Sequence, residues 1–331
     1  MNLSISLQCN QRCSFCFAEP LMKAAQMNGV PPFMTEEVFQ RGLAIALDSQ
    51  EKQVRFLGGE PTLHPSFVRW VEDSVSRGLN VVLFSNGKLS DAILDVLSSY
   101  SPESLCLILN TGVGGVFPKK PPASVAQTFE TLGERVALSA TIHHPRVELT
   151  HAFDWIDKYG LDRVIRVGVA HPVPGGNSSH LRPRHYNAVG EALVAASLEA
   201  ESRGVELDLD CGFVPCMFPE ESVPHCMEKW SCIGESCGPI PDVLPDGELI
   251  PCYPLAALME TRLYLDDLGK QRGILQSRIA PLAENKWLFR GCAQCAYRLE
   301  GMCDGGCVAA RLHAKQGHLD QRSSPQPASV G

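Results

Sequence analysis

Three cysteines stand near the start of the chain in the spacing Cys9-x3-Cys13-x2-Cys16, with the aromatic Phe15 just before the last. Thiolates set this close can hold three irons of a cubane [4Fe-4S] cluster and leave the fourth iron without a nearby protein ligand. An iron left open in this way is a place for chemistry on a bound molecule. Zinc is the competing use of such thiols, but structural zinc takes four ligands, and no histidine lies near enough in sequence to complete a local site. Disulfides are disfavoured, because the residues before Cys9 carry neither the basic region nor the long apolar core of a secretory signal. Fourteen cysteines in 331 residues, most of them in tight groups, fit metal ligation in a reducing compartment, so a cytoplasmic location is expected.

A second group holds ten cysteines between residues 211 and 307: Cys211, Cys216, Cys226, Cys232, Cys237, Cys252, Cys292, Cys295, Cys303 and Cys307. The pattern Cys237-x9-Gly247-x4-Cys252 encloses Pro245-Asp246-Gly247, a turn sequence suited to a hairpin whose second strand presents Cys252. Cys292-x2-Cys295-x7-Cys303-x3-Cys307 follows, a spacing that also reads as a zinc ribbon.

Positioning these thiols requires a scaffold, and residues 1–211 supply the pattern of one. Short apolar, partly β-branched runs at 3–7, 54–57, 80–84, 105–109, 136–141, 164–170 and 205–209 alternate with helical segments, the signature of a parallel sheet with crossover helices. Helices are expected from Thr35, which has N-cap chemistry with Glu36 and Glu37 behind it, and over 66–77, 91–97, 151–159 and 186–202. Active sites of parallel α/β sheets face the carboxyl ends of the strands. There the sequence puts Cys9, Gly58-Gly59-Glu60, Ser85-Asn86-Gly87, Asn110-Thr111-Gly112 and His171-Pro172, with residues 112–124 and 172–183 as covering loops. Residues 212–320 form a cysteine-rich second domain, and the Ser/Pro/Gln-rich residues 321–331 are expected to be a disordered tail.

The net charge of -8 argues against a nucleic-acid partner, since phosphate contacts need a basic face. No stretch approaches the roughly 18 uninterrupted apolar residues of a membrane helix. No nucleic acid and no membrane partner is expected.

The cysteine triplet with its aromatic, joined to Gly58-Gly59-Glu60-Pro61 after the second strand, resembles the radical S-adenosylmethionine (SAM) enzymes. The resemblance implies a partial (β/α)6 barrel and a [4Fe-4S] cluster on Cys9, Cys13 and Cys16. Its open iron would chelate the amino and carboxylate groups of SAM, and a reductant such as ferredoxin or flavodoxin would trigger cleavage to a 5'-deoxyadenosyl radical. Gly58, Gly59 and Glu60 would meet the SAM amino group, while Phe15 and the backbone near Val169 would flank the adenine. Asn110, Thr141 and Arg166 are candidates for ribose and carboxylate contacts.

The C-terminal patterns resemble the SPASM domain, an auxiliary-cluster extension of the same enzymes. That resemblance implies one auxiliary [4Fe-4S] cluster on Cys232, Cys237, Cys252 and Cys307, and a second on Cys292, Cys295 and Cys303. Here the chain departs from the family: no seventh motif cysteine follows Cys307, and seven residues instead of five separate Cys295 from Cys303. The missing ligand is open between an upstream thiol (Cys211, Cys216 or Cys226), a histidine (His313 or His318) and an iron with no fourth protein ligand.

Auxiliary clusters can accept electrons, so the expected function is oxidative modification of a peptide or protein, by dehydrogenation or crosslinking. Dehydrogenation or rearrangement of a small-molecule biosynthetic intermediate is the alternative. A non-catalytic iron-sulfur electron carrier is the third, and a half-barrel with a cofactor cleft weighs against it. Because the triplet begins at residue 9, no leader-peptide-binding domain is expected before it, and a separate recognition protein or the C-terminal domain would hold a peptide. Asp210, Asp242, His171 and the spare thiols Cys211, Cys216 and Cys226 are candidates for an acid or base near the substrate side, and sequence alone assigns none.

Overall fold

The computed structural model describes residues 1–173, 179–238, 240–256, 258–259, 261–283 and 290–315. His318 and the expected tail 321–331 lie outside the described residues. Seven parallel strands lie side by side in chain order: β1 (Asn2–Ser6), β2 (Gln53–Gly58), β3 (Asn80–Ser85), β4 (Leu105–Val113), β5 (Val136–Ile142), β6 (Val164–Val169) and β7 (Glu206–Leu209). The crossovers carry α1 (Glu19–Met27) and α2 (Glu36–Asp48), α3 (Phe67–Ser76), α4 (Asp91–Ser98), α5 (Ala123–Leu132), α6 (Thr150–Tyr159) and α7 (Tyr186–Ser202). Six βα units and a closing strand make the parallel sheet with crossover helices that the apolar runs announced, the α/β fold that the resemblance implied. Then come α8 (Val223–Lys229), β8 (Asp242–Val243), β9 (Glu248–Ile250), α9 (Tyr253–Ala256), β10 (Leu263–Tyr264), α10 (Leu268–Ala283), α11 (Ala296–Leu299) and α12 (Val308–Lys315).

The core lies between the sheet and its helices. Strand residues alternate between the two faces, so Leu3, Val54 and Phe56 turn to the helical layer and meet Phe39 and Leu43 of α2. Phe39 stacks on Trp70 of α3 with ring centroids 4.0 Å apart. β5, paired on both sides by β4 and β6, is buried at every residue. As expected, Thr35 caps α2: its hydroxyl accepts from the Val38 amide at 3.3 Å.

Four elements differ from expectation. Asn110-Thr111-Gly112, expected just past the fourth strand, belongs to β4 itself, because its ladder with β5 continues to Val113↔Thr141 across a bulge between Asn110 and Gly112. α1 and α5 were unannounced: neither has a side-chain cap at its N-terminus, and the prolines before α5 imitate a loop. Cys252 sits just past β9, its carbonyl accepting from the Ala256 amide at 2.9 Å, and not on the strand itself.

The C-terminal region continues the sheet, in the order β10-β9-β8-β1-β2-β3-β4-β5-β6-β7. β8 runs parallel to β1 with Asn2↔Asp242 and Leu3↔Val243 paired. β9 turns back through the expected Pro245-Asp246-Gly247 turn, closed by the Gly247 amide donating to the Leu244 carbonyl at 2.9 Å. Tyr253 and Ser4 share a buried hydroxyl–hydroxyl hydrogen bond of 2.8 Å across this join. Among the described residues, no helix is long and apolar enough to cross a membrane.

Candidate iron-sulfur and cofactor site

The loop from Cys9 to Cys16 leaves the carboxyl end of β1 and is held from the side by the end of β2. The Gly59 amide donates to the Ser6 carbonyl at 2.7 Å, and the Glu60 amide to the Gln8 carbonyl at 2.7 Å. A Cβ on Gly58 would stand 2.2 Å from the Ser6 oxygen, and one on Gly59 2.2 Å from the Gln8 oxygen, while Gly58 also takes φ +124°. Both glycines are therefore required by the chain's own backbone, which must pass this close to place Cys9. The Cys16 amide donates to the Cys13 carbonyl at 3.1 Å and turns the loop back on itself. Burial raises all three thiols; Cys13 is raised further by Cys16 and Cys9, and Cys9 by Glu60 and Cys16. The three are thus close enough to repel one another as anions.

Glu60 is buried, and its carboxylate ties two strand ends together. One oxygen accepts from the Asn86 amide at 2.9 Å, the other from Ser85 Oγ at 3.0 Å and Thr62 Oγ1 at 2.7 Å. Burial raises its pKa against those donors. Asn86 Nδ2 in turn donates to Asn10 inside the cysteine loop at 2.7 Å. The other strand-end candidates bond in pairs: Asn110 Nδ2 to Thr141 Oγ1 at 3.0 Å, and Arg166 to Asp210 at 2.7 Å, with the guanidinium 5.2 Å from the Phe84 ring centroid. Phe15 is buried and stacks on His143 at 5.1 Å. Sequence reasoning passed over His143, although it follows β5 directly, where the strand-end rule points. Val169 is buried at the end of β6, and the loop beyond it reaches the cysteine loop through the Ser179 amide, which donates to the Ser14 carbonyl at 2.6 Å.

Asp242 is not on this side. Its pairing with Asn2 puts it at the amino end of β1, opposite the cysteine loop, and Asn2 Nδ2 donates to its carboxyl at 2.7 Å. His171, just past the end of β6, is half-buried; burial disfavours its charge, but Cys307 and Cys211 raise its pKa well above the ordinary value.

None of the fourteen cysteines forms a disulfide. Burial, then Cys307 and Cys211, pushes the Cys237 thiol up to about 12, and Cys252 is raised by burial and then by Cys307. Cys307 runs the other way: burial raises it, but His171 and the Ala310 and Ala309 amides together bring it down to about 7. Cys211, Cys237, Cys252 and Cys307 are thus neighbours. Cys232, pushed up to about 12 by burial, faces Glu235, Asp208 and Asp210 instead. Cys216, Cys292, Cys295 and Cys303 line one pocket, with Val214, Tyr297 and Gly305 in its wall. Cys226 lies buried in α8, and His313 on α12 has its ring 6.4 Å from that of His180.

Among the described residues, no three His, Cys, Asp or Glu side chains close on a single metal ion. A cube of four irons is wider than one ion and takes thiols that stand apart. Three thiolates held this near one another also need compensating positive charge, which iron provides. The Cys9–Cys13–Cys16 loop fits such a cluster.

The chain is 28% identical over 113 residues to GTP 3',8-cyclase of Chlorobaculum tepidum and 36% identical over 73 residues to that of Streptomyces coelicolor, or 34% and 22% of this chain. It spans 32% and 20% of those relatives' own lengths. SuiB of Streptococcus suis shares the fold at 14% identity. TM-scores are 0.67 for SuiB itself, 0.63 for its S-adenosylmethionine complex and 0.66 for the complex with precursor peptide SuiA. The alignments cover 99%, 98% and 98% of this chain and 76%, 76% and 75% of that one. The profile of the Radical SAM superfamily matches residues 3–172. That stretch runs from β1 past the end of β6 and takes in the cysteine loop, the Gly58–Gly59 crossing and the strand ends that surround them: the chain belongs to the radical SAM superfamily.

Proposed function

We propose that this enzyme uses SAM, bound over a [4Fe-4S] cluster on Cys9, Cys13 and Cys16, to modify a peptide or protein oxidatively by dehydrogenation or crosslinking. The observation that carries this reading is the division of the C-terminal thiols into two groups, joined to the same sheet as the Cys9 loop. Such an arrangement suits a SPASM-like pair of auxiliary [4Fe-4S] clusters in residues 212–320, alongside a radical SAM half-barrel in residues 1–211. SuiB, whose fold covers nearly this whole chain, is seen with a precursor peptide. When bound and reduced, SAM supplies a 5'-deoxyadenosyl radical that removes a hydrogen atom from substrate.

The chain's own residues bind, orient and exclude water. Gly58, Gly59 and Glu60 fix the cysteine loop and offer the β2 end to the SAM amino group. Phe15, stacked on His143, and the backbone at Val169 flank the adenine; the Asn110–Thr141 and Arg166–Asp210 pairs face the ribose and carboxylate. For the first auxiliary cluster, Cys237, Cys252 and Cys307 are joined by Cys211 or Cys232, and the closeness of Cys211 to Cys237 and Cys307 supports Cys211. Partners of this reading are a ferredoxin or flavodoxin and, for a peptide, a separate leader-binding protein.

The test is anaerobic reconstitution with dithionite and SAM. Release of 5'-deoxyadenosine is expected, and Cys13→Ala abolishes it. Cys252→Ala keeps that release and loses modified product; if it behaves as Cys13→Ala does, the division of labour is wrong. A second reading, chemistry on a small molecule, is favoured by the sequence likeness to GTP 3',8-cyclases. Turnover stimulated by a precursor peptide and not by GTP supports the first reading, and the converse supports the second.

A further inference from the structure

We infer that Cys216 is the fourth protein ligand of the second auxiliary cluster, completing the set Cys292, Cys295 and Cys303 from the upstream side. The inference rests on the auxiliary-cluster reading above and assigns the ligand that the spacing of the later cysteines leaves out. Four thiols, from residues 216, 292, 295 and 303, line a single pocket together with Val214, Tyr297 and Gly305. Cys307, the remaining cysteine of that run, stands instead with His171 in the other group. A zinc ribbon on Cys292, Cys295, Cys303 and Cys307 is therefore not assembled, and no three of these side chains converge on one ion.

Cys216 is held in place by the scaffold. It occupies the middle of a single 3-10 turn, Pro215–Met217, whose flanking residues Pro215 and Met217 are buried. α7 packs directly onto this turn: a Cβ at Gly190 would stand 1.8 Å from the Met217 carbonyl oxygen, so only glycine lets the helix come so near. On the opposite wall, the Gly305 amide donates to Cys303 Sγ at 3.3 Å, the kind of N–H to sulfur bond that steadies a thiolate ligand. The Cys303 segment is pinned in turn by the Asp304 amide donating to the Gly234 carbonyl at 2.9 Å. Cys216 and Cys303 are thus each held in place by the fold around them.

The other candidates stand elsewhere. Cys211 neighbours Cys237 and His171, Cys226 is in the core of α8 with Lys229 as its charged neighbour, and His313 lies with His180.

The experiment uses the full chain with Cys9, Cys13 and Cys16 all changed to Ala, reconstituted anaerobically with iron and sulfide, so that only auxiliary iron is counted. About eight irons per chain are expected. Adding Cys216→Ala removes up to half of them, or leaves a three-iron centre visible by electron paramagnetic resonance in the oxidised state. Cys216→Ser, which offers an oxygen in the same place, restores the iron with an altered spectrum, and Cys226→Ala changes nothing. A Cys216→Ala protein that keeps the parent's iron content and reduced-state spectrum overturns the assignment. A parent that takes up no iron, or zinc alone, overturns the auxiliary-cluster reading itself.

Discussion

A methyl group added at Gly59 would lie 2.2 Å from the Gln8 carbonyl oxygen, and backbone cannot yield as a side-chain tip can. Gly59→Ala must therefore push the cysteine loop away from β2. A displacement of about 1 Å in a reacting geometry can lower rate on the order of a hundredfold. 5'-Deoxyadenosine release should fall by that much while overpacking takes about 1–3 kcal/mol from stability. A variant with unchanged release and unchanged melting would show that the crossing does not position the loop. Asp242 acts through burial: its pKa is pushed up to about 7, against the one hydrogen bond from Asn2. The folded protein thus keeps a proton that the unfolded chain loses near pH 4, and stability falls as pH rises through the window from about 4 to 7. Asp242→Asn removes that dependence. Its stabilising effect in urea unfolding should grow by about 2 kcal/mol between pH 5.5 and pH 8, and a pH-independent difference would count against a protonated Asp242.

Helix ends show where local chemistry is decisive and where it is not. Thr35→Ala removes the acceptor for the Val38 amide and should cost about 1 kcal/mol in denaturant unfolding, with no effect on iron content. If that substitution has no effect on stability, the cap is ornamental. α2 was legible because its cap, acidic first turn and apolar face agree; α1 and α5 lack such caps and gain their order from packing, as Met22 and Phe129 do against buried neighbours. Strands were legible because parallel pairing buries whole apolar runs. β4 ran past its expected end because the apolar run stops at Leu109, whereas a ladder partner on β5 carries the polar Asn110-Thr111-Gly112 backbone further. At the candidate site, the cysteine triplet and the glycine pair could be read because each is a local pattern. The meeting of Cys216 with Cys292, Cys295 and Cys303 could not, since it depends on how residues 212–236 travel, and they carry no periodicity of helix or strand. The same segment explains why Cys211, and not Cys232, stands beside Cys237.

Across the whole molecule, one strand has two obligations. β1 is flanked by β2 on one side and β8 on the other, and its carboxyl end launches the Cys9 loop while the β8–β9 hairpin leads to Cys252. The separation between these two thiol groups is therefore set by backbone hydrogen bonds in a single sheet. Amide hydrogen exchange should find β1 and β8 protected to a similar degree; an open β8 beside a closed β1 would show two independently opening units. The join also bears on any attempt to work with residues 1–211 alone. Cutting there removes β8 and the hydroxyl of Tyr253 that meets Ser4, so β1 is left as a bare edge with unpaired amides and carbonyls. Such an edge is a template for another chain, and the fragment should self-associate, seen as rising light scattering at concentrations where the full chain stays dispersed.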